Sequence, residues 1–174
     1  MNISTARSDT FIGLKVGLYK DPDIKRISHI LENEFKNWND NQINSYIEEV
    51  VKQDSKYGGI ISVKNDSDYF VALLIYSIEE VSPNAFNLNK KLKKSNLSKT
   101  KLFIIERIIS ATPLLHKKIF NLLIESSLSK SKEYCCDYLK LPKLNYHDYQ
   151  LINKNFKNRI NLSCKSGTYL KVDD

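Results

Sequence analysis

The chain has 174 residues, 41% hydrophobic and 27% charged, with a formal net charge of +7. That is enough for one domain with a sizeable core, and too apolar for a disordered chain. No apolar run has bilayer length and the polar opening Met1–Asp9 lacks the apolar stretch of a signal peptide, so a cytoplasmic protein is expected.

Thr10 to Leu18 carries Phe11, Leu14, Val16 and Leu18 and reads as a first strand. Asp21-Pro22-Asp23 opens a helix whose apolar face is Ile24, Ile27, Leu31 and Phe35. Trp38-Asn39-Asp40 breaks it and supplies an N-cap for a second helix with Ile43, Tyr46, Ile47, Val50 and Val51 on one side. Gly58-Gly59 ends the helical region. Ile60–Val63 and Tyr69–Ile78 then form a hairpin around the turn Asn65-Asp66-Ser67-Asp68. The second of these strands is almost wholly apolar, as a central strand must be.

Ser82 to Thr100 reads as a long basic loop with Lys90, Lys91, Lys93, Lys94 and Lys99. Leu102–Ile109 is another strongly apolar strand. Thr112-Pro113 caps a helix that runs to about Lys132 on Leu115, Ile119, Leu122 and Leu123. Asp137–Leu141 is a strand stopped by Pro142. A helix with Tyr149, Ile152 and Phe156 follows. Arg159–Cys164 and Thr168–Val172 close the chain as a hairpin around Lys165-Ser166-Gly167. The order is β-α-α-β-β-β-α-β-α-β-β. It predicts a single α/β (α+β) domain over 1–174, with residues 1–9 loose and a mixed, mostly antiparallel sheet flanked by helices.

Two features of the composition restrict function. Cys135, Cys136 and Cys164 show neither zinc-ligand spacing nor an even count for disulfides, so no metal is expected and the thiols read as packing residues. The positive charge is nearly all Lys, with Arg only at 7, 26, 107 and 159, and Lys, Asn and Ile share AT-rich codons. Basic surface favours anionic partners, but base recognition leans on Arg and aromatics, and no aromatic is interleaved with the lysines of 82–100. Nucleic acid is therefore the disfavoured partner.

The element order, above all the hairpin Gly59–Ile78, the step from Leu102 to Leu123 and the segment Leu151-Ile152-Asn153-Lys154-Asn155-Phe156, resembles the GNAT superfamily of acyl-CoA-dependent N-acyltransferases. The resemblance covers nearly the whole chain, Phe11 to Val172, and rests on order and spacing. It implies transfer of an acyl group, acetyl above all, from acetyl-CoA or another acyl-CoA to an amine of a small molecule or protein. It also implies a homodimer as one oligomeric state. The acyl carbonyl would be polarised by backbone N–H groups near Ile108, Ile109 and Ser110. The cofactor phosphates would lie at the helix start, against Leu114, Leu115, His116, Lys117 and Lys118.

Two family motifs are absent. The glycine-rich pyrophosphate loop aligns with Leu114, Lys117 and Ile119, none of the expected type. Lysines 117 and 118 would offset it by direct phosphate pairing. The tyrosine that protonates the leaving thiolate aligns with Ile152, leaving Tyr149, one turn earlier, as the candidate acid against a packing role. Glu106 interrupts an apolar strand and is the candidate general base, against pairing with a basic neighbour; strand alternation puts Arg107 on the opposite face. The missing loop leaves two alternatives: an acyl carrier protein as donor, and a catalytically inactive binding module on the same fold. His29 and His147 read as structural or surface histidines, and Trp38 as packing.

Overall fold

The computed structural model describes residues 13–21, 23–82, 99–164 and 167–172. The expected loose segment 1–9, the start of the first strand, most of the basic loop 82–100 and Lys165-Ser166 lie outside the described residues. The strands are β1 (Lys15–Leu18), β2 (Gly58–Lys64), β3 (Phe70–Val81), β4 (Thr100–Ser110), β5 (Tyr138–Lys140), β6 (Ile160–Cys164) and β7 (Gly167–Lys171). The helices are α1 (Ser28–Glu34), α2 (Asp40–Lys52), α3 (His116–Glu133) and α4 (Tyr146–Asn155). The order is the expected one.

The strands form one sheet in the order β1-β2-β3-β4-β5-β7-β6. Every pairing is antiparallel except β4 with β5, which is parallel. Helices cover both faces. On one, Ile60, Leu73, Ile75 and Ile109 meet Ile27, Ile30, Leu31 and Ile47 of the α1–α2 side. On the other, Ile61, Leu74, Tyr76 and Phe103 meet Ile119, Phe120, Leu123 and Ile124 of α3. Both faces of β3 are thus buried, which is why its sequence is continuously apolar rather than alternating.

Local chemistry sets the boundaries. Asn39 caps α2: its side chain accepts the Gln42 N–H at 2.9 Å, and the Gln42 side chain accepts the Asn39 N–H at 2.9 Å. Each bond satisfies a backbone donor that the helix leaves open. Asn39→Ala should cost about 1 kcal/mol, read as a lower urea midpoint with an unchanged slope. An unmoved midpoint would mean that water satisfies those donors equally well. At the β2–β3 turn the Asn65 side chain accepts from the Ser67 and Tyr69 N–H groups, both at 3.0 Å, and Asp68 takes the left-handed conformation at φ 60°.

Two expectations need correction. Gly58 and Gly59 do not end the helical region; α2 stops at Lys52 and the glycines begin β2, opposite Ser77 and Tyr76. The reason at Gly59 is close approach: a Cβ there would stand 3.0 Å from the Tyr76 hydroxyl oxygen. Nor does the Thr112 side chain cap the long helix. Pro113–Leu115 forms a separate 3-10 turn, α3 starts only at His116, and neither start has a side-chain cap. The chain before the helix also opens as a 3-10 turn, Ile24–Arg26, with Asp23 accepting the Lys25 N–H.

Candidate active site

β4 and β5 pair over only three residues, Leu102–Ile104 against Tyr138–Lys140. Beyond that point β5 ends, Leu141-Pro142 turns away, and β4 continues to Ser110 with β3 alone as its neighbour. A parallel sheet that splits in this way opens a crevice beyond the carboxyl ends of its strands, where an α/β sheet can admit a ligand. Here the crevice is a cleft of about 340 Å³ whose lining includes Glu106, Arg107, Ile108, His116, Phe120 and Asp148. A larger cavity of about 400 Å³ lies elsewhere, between the Ile24–Arg26 turn, α1 and α2.

β4 carries a bulge at the mouth of this cleft. Ile105 pairs with Tyr76 but Arg107 pairs with Ile75, so Glu106 is one residue too many. A bulge breaks the alternation of a strand and re-aims its side chains. Before it, the odd residues Phe103 and Ile105 face α3; after it, the odd residue Ile109 faces α1 and α2. The expectation that Glu106 and Arg107 point to opposite faces is therefore overturned. Both are exposed on the α1–α2 side: Arg107 pairs with Glu34 at 2.8 Å and lies over the Phe35 ring, while Glu106 accepts a hydrogen bond from Tyr46 Oη at 3.4 Å.

Tyr46 belongs to an aromatic group with Phe35 and Trp38, ring centroids 5.1–5.8 Å apart. Burial first, then the Glu106 carboxylate, push the Tyr46 phenol above its ordinary range, so it remains a proton-bearing donor to that carboxylate. Glu106 is thus a half-tethered, solvent-reached carboxylate rather than a buried one.

The backbone beside it turns alternate N–H groups toward and away from β3. The Ala111 N–H bonds to Val71 O at 2.9 Å. In an antiparallel ladder alternate residues turn their N–H groups to opposite sides. Ile108 and Ser110 therefore direct theirs away from β3, to the side that β5 has left. Ser110 Oγ in turn accepts the Thr112 N–H at 3.3 Å.

Across the cleft, His116 opens α3 and Asp148 lies in the first turn of α4. His116 Nε2 is 2.5 Å from Asp148 Oδ1. Asp148 is 9% exposed and doubly anchored: its Oδ2 accepts from Asn145 Nδ2 at 2.9 Å, and its backbone N–H donates to Asn145 Oδ1 at 2.9 Å. Neither Asp148 nor Asn145 was expected at the site. Asn145 with an acidic residue three positions on is a legible helix start, but its alliance with a histidine 32 positions away is not.

No protein-family model and no curated protein matches the chain. Solved structures do. The aminoglycoside 6'-N-acetyltransferase AAC(6')-Ih from Acinetobacter baumannii is similar at a TM-score of 0.58 and 12% identity, over 82% of this chain and 88% of that one. AAC(6')-Iy, in complex with a CoA bisubstrate analogue, gives 0.61 and 10%, over 82% and 88%. AtaT, complexed with acetyl-methionyl-tRNAfMet, gives 0.55 and 12%, over 91% and 94%. The chain has the GNAT fold.

Within that fold the sequence-derived residues fall as follows. Glu106 and Ile108 line the cleft, Ile109 is buried toward α1, and Ser110 is half-buried at the end of β4. Of the positions aligned with the glycine loop, Leu114 is 97% exposed, Lys117 is exposed and Ile119 is buried in the core. A side chain as exposed as Leu114 does not fill the cleft. Leu115 packs against the core, and Lys118 is exposed. Tyr149 is half-buried on α4 outside the cleft lining, and Ile152, at the family's tyrosine position, is fully buried. Among the described residues no three His, Cys, Asp or Glu side chains converge as metal ligands, and no helix is long and apolar enough to cross a membrane.

Proposed function

We propose that the protein is a GNAT-like N-acyltransferase that moves an acyl group, acetyl foremost, from a CoA thioester to an amine of a small molecule or protein. The observation that carries this reading is the split between β4 and β5, with the Glu106 bulge on its rim and the outward N–H groups of Ile108 and Ser110 along its edge. Those N–H groups would polarise the thioester carbonyl, and such fixed donors are the largest single aid to acyl transfer. Glu106 would take the proton of the attacking amine, directly or through water. The α3 start, with Leu115, Lys117 and Lys118, would meet the cofactor phosphates through its open N–H groups and lysine charge. CoA complexes of similar structures support the donor class.

A second donor has one observation in its favour. Leu114, Lys117 and Lys118 make the exposed surface around the start of α3 apolar and basic, which would complement an acidic acyl carrier protein. The test is release of thiol from acetyl-CoA, and from an acetylated carrier protein, in the presence of spermidine, kanamycin and a lysine-containing peptide. Acylated amine with either donor supports the proposal and names the donor. No product with both would leave a GNAT-fold binding module.

A further inference from the structure

Glu106, the base of the proposed reaction, is exposed on the α1–α2 side of the sheet, whereas α3, whose start would meet the donor's phosphates, packs on the opposite face. An acceptor amine therefore approaches Glu106 past the side chains that α1 and α2 place beside it. We propose that Trp38 and Tyr46 form a shelf that selects acceptors carrying a second cationic group remote from the reacting amine. This rests on the acyltransferase reading above.

The shelf is continuous with the base. Trp38, expected as a packing residue, is 41% exposed at the join between α1 and α2. Its ring meets Tyr46 edge to face, centroids 5.6 Å apart, and the Tyr46 hydroxyl donates to Glu106 at 3.4 Å. Indole, phenol and carboxylate thus stand in one line of contacts, with Glu106 at the reacting end and a solvent-open indole at the other. An exposed aromatic residue standing alone needs no explanation, but one joined to a cleft carboxylate offers a ligand a surface.

Charge decides what that surface takes. Glu34, Glu106 and Arg107 line the cleft from this side, and Lys143 lines it from the segment after β5. Arg107 is held by Glu34, 2.8 Å away, and its guanidinium lies 5.0 Å from the centroid of Phe35, the third ring of the group. The aromatic group thus already holds a cation on one of its faces. Among the described residues no cation covers Trp38 or Tyr46, and Glu106 has no ion-pair partner. Indole is the best of the aromatic faces for a cation. A primary amine at Glu106 and a second cation on Trp38 fill complementary places, whereas an anionic group on the acceptor meets two carboxylates.

The experiment uses two acceptors of equal shape, an aminoalkyl trimethylammonium and its tert-butyl isostere, each with a pentyl and with an octyl spacer, and acetyl-CoA as donor. Wild type, Trp38→Ala and Trp38→Phe are compared, with thermal unfolding as the check on each fold. Wild type should favour the cationic acceptor by about tenfold or more in kcat/KM with at least one spacer. Trp38→Ala should reduce that preference to less than about twofold with the KM for acetyl-CoA unchanged, and Trp38→Phe should retain part of it. Trp38 is the only tryptophan in the chain, so its fluorescence reads the same contact without turnover. The cationic acceptor should change that fluorescence saturably, at a concentration about tenfold below that needed for the isostere. A wild type that acetylates cation and isostere equally overturns the proposal and leaves the acyltransferase reading intact, and this comparison needs no variant to fold. A preference that survives Trp38→Ala overturns it too. A saturable fluorescence change without acetyl transfer would overturn the acyltransferase reading, and with it the shelf's role in choosing an acceptor. Neither transfer nor a fluorescence change overturns both.

Discussion

Glu106→Gln should lower kcat for acyl transfer by about 100-fold or more while leaving the fold intact. The carboxylate sits on a bulge at the cleft mouth, exposed, and accepts a hydrogen bond from Tyr46 Oη. Gln keeps the shape and still accepts from Tyr46, but it takes no proton from an ammonium or amine. Since the site is exposed, the substitution should change stability by no more than about 0.5 kcal/mol. The two readouts separate: a large fall in kcat with a superimposable unfolding curve identifies a base. Turnover equal to wild type would remove Glu106 from the reaction. Tyr46→Phe is the companion variant, and it should cost less, because it deletes only the donor that orients the carboxylate.

Phe103→Ala should remove about 3–5 kcal/mol of stability. Phe103 is fully buried in β4, its ring stacked on Tyr76 with centroids 4.4 Å apart, and it pairs with Leu139 at the short β4–β5 contact. Deleting the ring loses its burial and its stacking and leaves a cavity where the sheet is held by only three residue pairs. Native domains have a margin of about 5–15 kcal/mol. The loss should therefore appear as a fall in Tm of about 10 °C. Urea unfolding followed by circular dichroism measures it. A loss under about 1 kcal/mol would show that this ring is not packed as described. Because the contact lies at the apex of the β4–β5 split, activity should fall with stability even though Phe103 lines no cleft.

The order of elements was legible because the apolar signal was strong where the fold needs it. β3 is buried on both faces for most of its length and reads as a nearly continuous apolar run, β4 is apolar on either side of Glu106-Arg107, and Asn39 and the turn at Asn65–Asp68 announced themselves by residue type. The site was legible only in its backbone. Glu106 stood out as a charge inside an apolar strand, but nothing marks the extra residue that makes it a bulge. A bulge is a difference in register between two strands, visible only when both are paired. Alternation therefore misplaced Arg107, which in the fold reaches Glu34 and Phe35 on the same side as Glu106. Gly59 looked like a terminator because the Tyr76 ring that needs its missing Cβ is 17 positions away. His116 was read from its place at a helix start, as a phosphate contact. Its partner Asp148 comes from another helix, and such a pairing carries no local period or propensity.

The most direct test of the account is thermal unfolding with and without saturating acetyl-CoA. The claim is that the cleft between β4 and β5 holds the acyl donor without a glycine loop. Acetyl-CoA at about 100 times its Kd should add roughly 2.7 kcal/mol and raise Tm by several degrees, with free CoA giving a rise of similar size. An unfolding curve that neither ligand moves would contradict the claim that this cleft binds acyl-CoA.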